Sequence, residues 1–288
     1  MTAGVGKPPD CVVKISGGLG NQLFQYAAAR AMALRTDSKL VLDASFFRPG
    51  RHRQFELDQF PIEAQVIRAG DGRFSLRRCV QSIRSVLRRG QQYREPHFHF
   101  DPGLLRVVPP VTLTGYFQSY RYFEDSAEQI RRELAVPRPT DAETLRMIGS
   151  LAKSDFAVMH IRRTDYVSNA KNSQIYAQCD VNYYQRAMER LPPETPVLVL
   201  SDDLPWARAN LPETRRLYFP ESSGGRPGLA DLWLMTQARH HIIANSSFSW
   251  WGAWLSAAEG GVKIAPARWF VDSSLLDRDL VPASWTRL

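Results

Sequence analysis

The sequence predicts an α/β protein of two domains, each built on a parallel sheet. The chain has 288 residues, which is long for one ordinary domain but suits two domains of moderate size. It opens with a short apolar run, a glycine turn, a helix-forming stretch and a second apolar run. Such strand–helix–strand alternation is typical of parallel sheets. The alternation resumes after a proline break at 136–141, and we place the domain boundary near this break.

Three strands and two helices are predicted in the first domain. The apolar runs at 11–16, 39–47 and 111–119 are β-rich in composition. Helices are predicted for LFQYAAARAMALRT, directly after the glycine turn, and for FEDSAEQIRREL at 123–134. In the second domain the predicted order is helix 141–152, strand 156–161, helix 181–191, strand 197–203, helix 204–210, helix 228–238, strand 241–247, helix 250–258 and strand 262–266.

Composition predicts a folded protein of the cytoplasm. Hydrophobic residues make up 44% of the chain and aromatic residues 11%, which is typical of globular rather than disordered proteins. No stretch approaches the roughly 18 apolar residues of a membrane span, and the first residues lack the apolar core of a secretory signal. Cys11, Cys79 and Cys179 are widely spaced and lack metal-ligand spacing, so we expect unpaired thiols in a reducing compartment.

The chain is basic, with a formal net charge of +8, and only six of its 37 basic residues are lysine. Arginine suits phosphate because its planar guanidinium forms paired hydrogen bonds. Coding bias explains the arginine excess equally well, and both explanations stay open. One stretch, 73–89, carries apolar residues at helical spacing between its arginines. We expect a solvated basic helix there, with a helix on a membrane surface as the alternative.

A glycine-rich turn, GGLGNQ, precedes the first predicted helix. Gly18 and Gly20 let backbone N–H groups approach an anion, and the helix dipole adds attraction. Asn21 and Gln22 add side chains that form hydrogen bonds. The third glycine of a dinucleotide fingerprint is missing, so the turn alone favours a structural role.

Polar segments follow the predicted strands of the second domain. Ligands of open parallel sheets bind outside the carboxyl ends of the strands. HIRRTDY at 160–166, SDD at 201–203 and NSSFS at 245–249 are therefore expected to face one crevice. In HIRRTDY we expect one arginine to reach a ligand phosphate and the other to pair internally, with Asp165 as its partner. A surface ion-pair cluster is the structural alternative.

Ser201, Asp202 and Asp203 directly follow the strand at 197–203. Paired aspartates there suit a divalent metal over a diphosphate, but Ser and Asp are also preferred helix N-caps. We favour capping, because no histidine or glutamate cluster nearby completes a metal site.

The segment 245–255, NSSFSWWGAWL, is rich in polar and aromatic residues. Its serines and Asn245 offer neutral hydrogen-bonding groups at a helix N-terminus, where a phosphate is favoured. Trp250, Trp251 and Trp254 are expected to pack in the core. No Ser/His/Asp order in the chain suggests hydrolysis, and no GxxxxGK[ST] sequence supports an NTPase.

Together these motifs resemble the bacterial α-1,2-fucosyltransferases of glycosyltransferase family 11. The resemblance rests on GGLGNQLFQYAAARAMA, TGYFQSYRYF, HIRRTDY, SDD and NSSFSWWGAWL in this order, and spans about residues 11–270. It implies a GT-B fold, in which two Rossmann-like domains face each other across a donor and acceptor cleft. It also implies inverting, metal-independent transfer of L-fucose from GDP-β-L-fucose to a sugar hydroxyl, such as the 2-OH of a terminal galactoside, without a cofactor.

The resemblance also assigns roles to individual residues. Arg162 is similar to an arginine that contacts the β-phosphate, and His160 to a neighbouring donor-site histidine. Asp231 resembles an acidic residue directed at guanine, and Ser246 and Ser247 resemble phosphate-contacting serines. Further donor-binding candidates are Gly18, Gly20, Gln22, Arg163, Ser201, Asp202, Asn245, Phe248 and Ser249.

Four residues are predicted to be catalytic: Arg162, His160, Asp165 and Asn21. The resemblance implies that Asn21 lies where the glycine turn meets the donor diphosphate. The general base is not identified, and His160 and Asp165 are both candidates. A loose, oxocarbenium-like transition state that needs little base assistance is the alternative.

We predict an N-terminal acceptor-side domain at 1–138, with a variable basic segment at 73–94, and a GDP-sugar-binding domain at 139–272. Residues 273–288 form a C-terminal tail, for which we consider packing back on the N-terminal domain. The expected partners are GDP-fucose and a galactoside-containing oligosaccharide or lipid-linked glycan, and nucleic acid is not expected. Peripheral contact with anionic lipid at the inner face of the inner membrane is a hypothesis.

Three other functions stay open. Transfer of a related 6-deoxyhexose such as colitose is an alternative that the GDP-contacting residues do not exclude. A non-catalytic nucleotide-sugar-binding module is disfavoured by the intact Arg162 and Asn21. A nucleic-acid-binding protein would explain the arginine content but not the polar strand-end loops.

Overall fold

The computed structural model describes residues 8–50, 53–68, 90–152, 154–163, 174–212, 215–221 and 228–288. The chain forms two compact units, Met1–Ala135 and Val136–Leu288, which divide close to the predicted boundary. Each unit contains one parallel sheet with helices between its strands. The predicted α/β class is confirmed.

The first unit is built on a five-stranded sheet with the spatial order β3-β2-β1-β5-β4. All of its strand pairs are parallel. The strands are β1 Asp10–Lys14, β2 Lys39–Asp43, β3 Gln65–Ile67, β4 Gln91–Arg94 and β5 Val111–Thr114. β1 is the central strand, so the glycine turn that follows it lies at the middle of the carboxyl edge.

Helix α1, Leu19–Arg35, is buried over most of its length. Its run of alanines has small side chains, which lets the sheet and the following segments approach the helix closely. A second helix, α2 Ala127–Glu133, is tied to α1 by a polar cluster. The Tyr26 hydroxyl donates to Glu133, and Arg30 Nη2 lies 2.6 Å from Glu133 Oε1. Because each buried polar group has a partner, this cluster fixes α2 against α1.

The second unit is built on a six-stranded sheet with the spatial order β11-β10-β9-β6-β7-β8, again with parallel pairs. Its strands are β6 Ala157–Ile161, β7 Val197–Ser201, β8 Leu217–Tyr218, β9 His240–Ile242, β10 Lys263–Ala265 and β11 Thr286–Arg287. The central strand β6 is buried along its whole length. This explains its continuous apolar sequence, since strands of parallel sheets are covered on both faces.

The helices of the second unit follow the predicted pattern. They are α3 Ala142–Leu151, α4 Val181–Glu189, α5 Leu204–Asn210, α6 Gly228–Gln237 and α7 Ser247–Leu255. Asp141, Asp180 and Asp203 cap α3, α4 and α5, each accepting from a backbone N–H in the first turn. Three of the helices in this unit thus begin at an aspartate cap.

The tryptophans of α7 pack in the core, as predicted. Trp250 and Trp251 are fully buried, and the ring of Trp250 lies against those of Trp251, Trp254 and Trp285. Trp250 Nε1 donates to the carbonyl of Leu280 at 2.9 Å. The C-terminal tail therefore packs on α7 within the second unit.

The 273–288 tail, for which packing on the N-terminal domain was considered, belongs to the second compact unit. Its last residues form β11, which extends the second sheet by pairing with β10. The physical reason is the exposed edge of β10 together with the apolar surface of Trp250, which the tail covers.

Several predicted strands end earlier than expected, because the polar residues after them belong to loops. The strands predicted at 39–47 and 111–119 end at Asp43 and Thr114. Four short strands, β3, β4, β8 and β11, were not predicted from the sequence. Of the basic segment 73–94, residues 91–94 form β4, and the predicted helix at 73–89 lies outside the described residues. Among the described helices, none has the length and apolar character that crossing a bilayer requires.

Candidate functional site

The ends of β6 and β7 bring two of the predicted polar segments together. These strands are neighbours, and Ile161 pairs with Ser201 at the last register position. Residues 162–163 and 202–203 therefore leave the sheet side by side at its carboxyl edge. Crevices at this edge are where open parallel sheets bind their ligands.

Arg162 is held at this edge by Asp202. Its Nε lies 3.3 Å from Asp202 Oδ2, and both side chains are partly exposed, at 27% and 19%. A second oxygen of Asp202, Oδ1, accepts the backbone N–H of Arg163 at 2.9 Å. The carboxylate thus fixes both the loop and the arginine side chain. Asp202 does not cap a helix, so the predicted capping role is wrong for this residue.

Arg163 is held by a different set of groups. Its Nε lies 3.3 Å from Asp203 Oδ2, and its guanidinium lies 3.9 Å from the ring centroid of Trp206. Asp203 also caps α5, since its Oδ1 accepts from Trp206 N at 3.1 Å. Capping by Asp203 is therefore confirmed. Both arginines therefore pair with aspartates of the protein, where the sequence predicted that only one would. Asp165, the predicted partner, lies outside the described residues.

Ser201 stabilises the same turn. Its hydroxyl accepts the backbone N–H of Asp203 at 2.9 Å. The SDD segment is therefore a hydrogen-bonded turn whose two carboxylates each bind one arginine. Within the described ranges, no three His, Cys, Asp or Glu side chains are grouped as metal ligands would be.

His160 lies beneath this loop, next to the last residue of β6. Its side chain is 7% exposed, and its ring centroid lies 5.8 Å from that of Phe248. Burial, with the nearby charge of Arg162, lowers the pKa of His160 to about 4. The imidazole is therefore neutral at physiological pH, and its Nδ1 has no hydrogen-bond partner among the described residues.

The 245–249 segment divides into inward and outward residues. Asn245 is buried, and its Nδ2 donates to the carbonyls of Ala177 and Trp269. Ser249 is also buried, and its hydroxyl lies 3.3 Å from the Ser246 carbonyl. Both side chains hold the protein's own backbone, so the structure lends no support to their predicted donor-binding role.

Ser246, Ser247 and Phe248 are partly exposed at the N-terminus of α7. Ser246 is the N-cap residue, yet its side chain forms no capping hydrogen bond. Phe248 contacts His160, which places this helix end beside the arginine loop. Hydroxyls and backbone N–H groups at a helix N-terminus are favourable partners for phosphate.

Asp231 lies in the first turn of α6 and is partly buried. The start of α6 lies near that of α7, since a Cβ atom built on Gly228 would lie 3.9 Å from Phe248. The structure therefore brings His160, Arg162, Phe248 and the first turn of α6 to the same edge of the second sheet.

The glycine turn of the first unit holds Asn21 in a defined position. Gly17 has a φ of +81°, and a Cβ atom there would lie 2.8 Å from Asn21 Nδ2, so only glycine leaves room for the amide. Gln118 Nε2 donates to Asn21 Oδ1 at 2.8 Å. Gly18 is the N-cap of α1, while Gly20 is buried inside the helix.

Gln22 has a structural role that the sequence did not reveal. It is fully buried, and its Nε2 donates to the carbonyls of Gly17 and Gln54 at 3.1 and 2.8 Å. Its Oε1 accepts the backbone N–H of Glu56. These bonds occupy the amide, so the structure lends no support to its predicted contact with the donor.

Two supporting residues of the glycine turn were missed by sequence reasoning. Gln25, on α1, accepts from Ser16 N at 2.9 Å and donates to the Gly115 carbonyl at 2.9 Å. Gln118 lies in the TGYFQSYRYF motif, which gave no sign of its individual role. The sequence signal available for both residues was a glutamine within a motif that contains glycine.

Comparisons with known proteins identify relatives of this chain in sequence and in fold. A sequence model described as Glycosyl transferase family 11 matches residues 107–288. An alpha-1,2-colitosyltransferase of Escherichia coli is 31% identical over 96% of this chain and 98% of its own length. A galactoside 2-alpha-L-fucosyltransferase of Bos taurus, SEC1, is 27% identical over 85% of this chain and 64% of its own length.

A solved structure shows the same fold. The GDP complex of a mutant of Arabidopsis thaliana FUT1 superposes with a TM-score of 0.54 at 15% identity, covering 92% of this chain and 72% of that one. The predicted GT-B class, with two Rossmann-like sheets, is confirmed at the level of fold. The near full-length match at 31% identity and the family match over 107–288 lead to one conclusion: the chain belongs to glycosyltransferase family 11.

Proposed function

We propose that the protein transfers L-fucose from GDP-β-L-fucose to a hydroxyl of a galactoside-containing glycan, with inversion and without a metal. The observation that carries this proposal is the position of Arg162, held by Asp202 at the carboxyl edge beside the N-terminus of α7. The bovine relative named as a galactoside 2-alpha-L-fucosyltransferase supports the choice of sugar and of acceptor.

The reaction needs a group that stabilises the leaving diphosphate. The acceptor oxygen forms a bond to C1 of fucose while the bond from C1 to the β-phosphate oxygen breaks. The electron pair of the broken bond stays on GDP. A fixed guanidinium and the N-terminus of α7 stabilise this developing negative charge best when they are already in place. Arg162, Ser246 and Ser247 are the groups we propose for this task.

The acceptor hydroxyl also loses a proton in this reaction. With a pKa near 4, His160 is a weak base at neutral pH, since an efficient general base has a pKa near the working pH. We therefore propose His160 as a neutral donor-site residue that leaves the positive charge to Arg162. Asp165 remains a candidate base by sequence.

Colitose transfer is the second candidate, and it has a specific observation in its favour. The relative at 31% identity is named as an alpha-1,2-colitosyltransferase. GDP-colitose and GDP-fucose share the GDP group, so the residues proposed for the diphosphate serve either donor.

One experiment tests donor, acceptor and linkage together. The protein is incubated with GDP-fucose or GDP-colitose and an array of galactosides, and the product linkages are determined. We expect an α-1,2-linked product. Greater transfer from GDP-colitose than from GDP-fucose would identify colitose as the donor sugar, and failure of both donors would contradict the proposal.

Metal independence has its own test. Because Arg162 and Arg163 already pair with Asp202 and Asp203, we expect excess EDTA to leave the transfer rate unchanged. A loss of activity that Mg²⁺ or Mn²⁺ restores would contradict this.

The proposed membrane contact is tested by sedimentation with anionic liposomes. The wild-type protein is compared with a variant in which the arginines of 73–89 are changed to glutamine. Equal sedimentation of both forms would remove that contact.

A further inference from the structure

The first unit contains a cavity of about 770 Å³ at the carboxyl edge of its sheet. It lies where four strands end, since Lys14, Asp43, Arg94 and Thr114 are the last residues of β1, β2, β4 and β5 and all line it. None of the donor-site candidates lines this cavity. Its volume is in the range of small-molecule sites in proteins. We call it the edge pocket.

Two carboxylates of the edge pocket are fixed by the protein's own backbone. Glu95 accepts from the N–H groups of Tyr116 and Phe117 at 2.7 and 3.0 Å. Asp43 Oδ1 accepts from Ser45 N at 3.0 Å. Gly115 leaves room for Glu95, because a Cβ atom there would lie 2.4 Å from Glu95 Cβ. Each carboxylate keeps further lone pairs, which can accept from hydroxyl groups of a ligand.

Three cationic side chains line the edge pocket without a carboxylate partner in the described part of the chain. Lys14, Arg48 and Arg94 are exposed, and none forms an ion pair with another residue in the described part of the chain. Arg48 Nε makes only a long contact, 3.4 Å, to the Ser45 carbonyl. The pocket therefore has more cations than carboxylates, and its cations still have hydrogen-bond donors to offer. A ligand with an anionic group would satisfy them.

Aromatic side chains form the remaining walls. Phe46 lines the pocket and is 37% exposed, although it is a large apolar residue. Phe98 and Tyr116 line it as well. Aromatic faces offer an apolar surface for the C–H groups of a sugar ring, while the carboxylates bind its hydroxyls.

We infer that the edge pocket binds the acceptor, and that this acceptor is an acidic glycan with a carboxylate or phosphate beside the sugar that receives fucose. Arg48 and Arg94 bind the anionic group, while Glu95 and Asp43 accept from sugar hydroxyls. This inference rests on the proposed function, because it names the substrate that the transfer reaction would use.

The test compares matched acceptors. Lactose is the neutral acceptor; the two acidic ones are the same disaccharide with glucuronic acid in place of glucose, and lactose 1-phosphate. Binding of each is measured by titration calorimetry on the full chain without donor, and kcat/KM is measured with GDP-fucose. The double variant Arg48→Gln/Arg94→Gln is compared with the wild type and with the control Arg132→Gln, whose arginine is 65% exposed on α2 outside the pocket.

We expect at least one acidic acceptor to bind about tenfold more tightly than lactose, and to have a correspondingly higher kcat/KM. This ratio should fall toward one in the double variant and when NaCl is raised from about 50 to about 500 mM, but not in the control. The acidic acceptor that binds more tightly shows whether the edge pocket prefers a carboxylate or a phosphate. Equal binding of all three disaccharides by the wild type, or an unchanged ratio in the double variant, would overturn the inference. If the acidic preference is present but no sugar is transferred, the proposed function fails while the pocket assignment stands.

Discussion

Single residues at the edge of the second sheet have separable tasks. Arg162 and Arg163 are adjacent in sequence, yet Asp202 holds the first at the crevice while Asp203 and Trp206 hold the second against α5. Two neighbouring arginines with different partners should respond differently to the same substitution. The pair therefore allows a direct test of the proposed division between ligand binding and loop stability.

We expect Arg162→Ala to lower kcat/KM by at least about 10²-fold, because the charge on the leaving diphosphate loses its fixed partner. Arg162→Lys should recover only part of the activity, since an ammonium group lacks the planar fork of guanidinium. The melting temperature should change little in both variants. Arg163→Ala is the control, and we expect it to lower the melting temperature instead. Near wild-type turnover by Arg162→Ala would contradict the proposal.

At the scale of elements, the turn after β5 positions Asn21. In this turn Phe117 has a φ of +54°, which is unusual for a bulky residue, and the carboxylate of Glu95 accepts its N–H. The next residue, Gln118, then reaches Asn21. A strand end, a strained turn and the first turn of α1 thus cooperate to orient one amide.

Gln118→Ala should therefore lower kcat about tenfold while leaving the melting temperature nearly unchanged, because the Asn21 amide loses the bond that sets its orientation. Steady-state kinetics with GDP-fucose measure this effect. Gln129→Ala is the matched control, since Gln129 donates to Glu133 on α2 and does not contact Asn21. Equal kcat values in the two variants would show that Asn21 needs no support from the turn.

Two helix glycines are expected to respond with opposite sign to substitution by alanine. A Cβ atom on Gly252 would lie 2.6 Å from Met235 Cβ, where α7 packs on α6, so Gly252→Ala should destabilise the protein by about 1–3 kcal/mol. Gly149 lies in α3 with no atom within 4 Å of such a Cβ, so Gly149→Ala should stabilise by up to about 1 kcal/mol. Urea unfolding measures both; two changes of the same sign would contradict the packing argument.

The sequence predicted the elements that are specified by their own local pattern of apolar and capping residues. β6 and β7 are continuous apolar runs, and α3 and α5 begin at aspartate caps, so composition and capping were sufficient. β3, β4, β8 and β11 are short and partly exposed, and they exist because a neighbouring strand offers its edge. The pairing of Arg162 with Asp202 depends on the register of β6 with β7, which no local pattern contains.

At the scale of the whole molecule, buried neutral histidines couple stability to pH. His241 is fully buried in β9, and its Nε2 lies 2.8 Å from the Met235 carbonyl, to which it donates. Burial lowers the pKa of His241 to about 3, while that of His160 falls to about 4. Both imidazoles are thus neutral in the folded state well below the pKa of about 6.5 that they have in the unfolded chain.

The sign of the pH dependence follows from this difference. Between about pH 6.5 and 4 the unfolded chain takes up protons on these histidines and the folded chain does not, so the free energy of unfolding falls as the pH is lowered. Each histidine contributes a slope of up to about 1.4 kcal/mol per pH unit in this window. His241→Gln keeps a donor for the Met235 carbonyl but cannot be protonated there. The free energy of unfolding is measured by urea unfolding from pH 7 to about pH 4. We expect its slope against pH to be smaller by about that amount in the variant than in the wild type. Parallel curves for the two proteins would mean that His241 is already protonated in the folded state, or that its environment is more polar than the buried position in β9 implies.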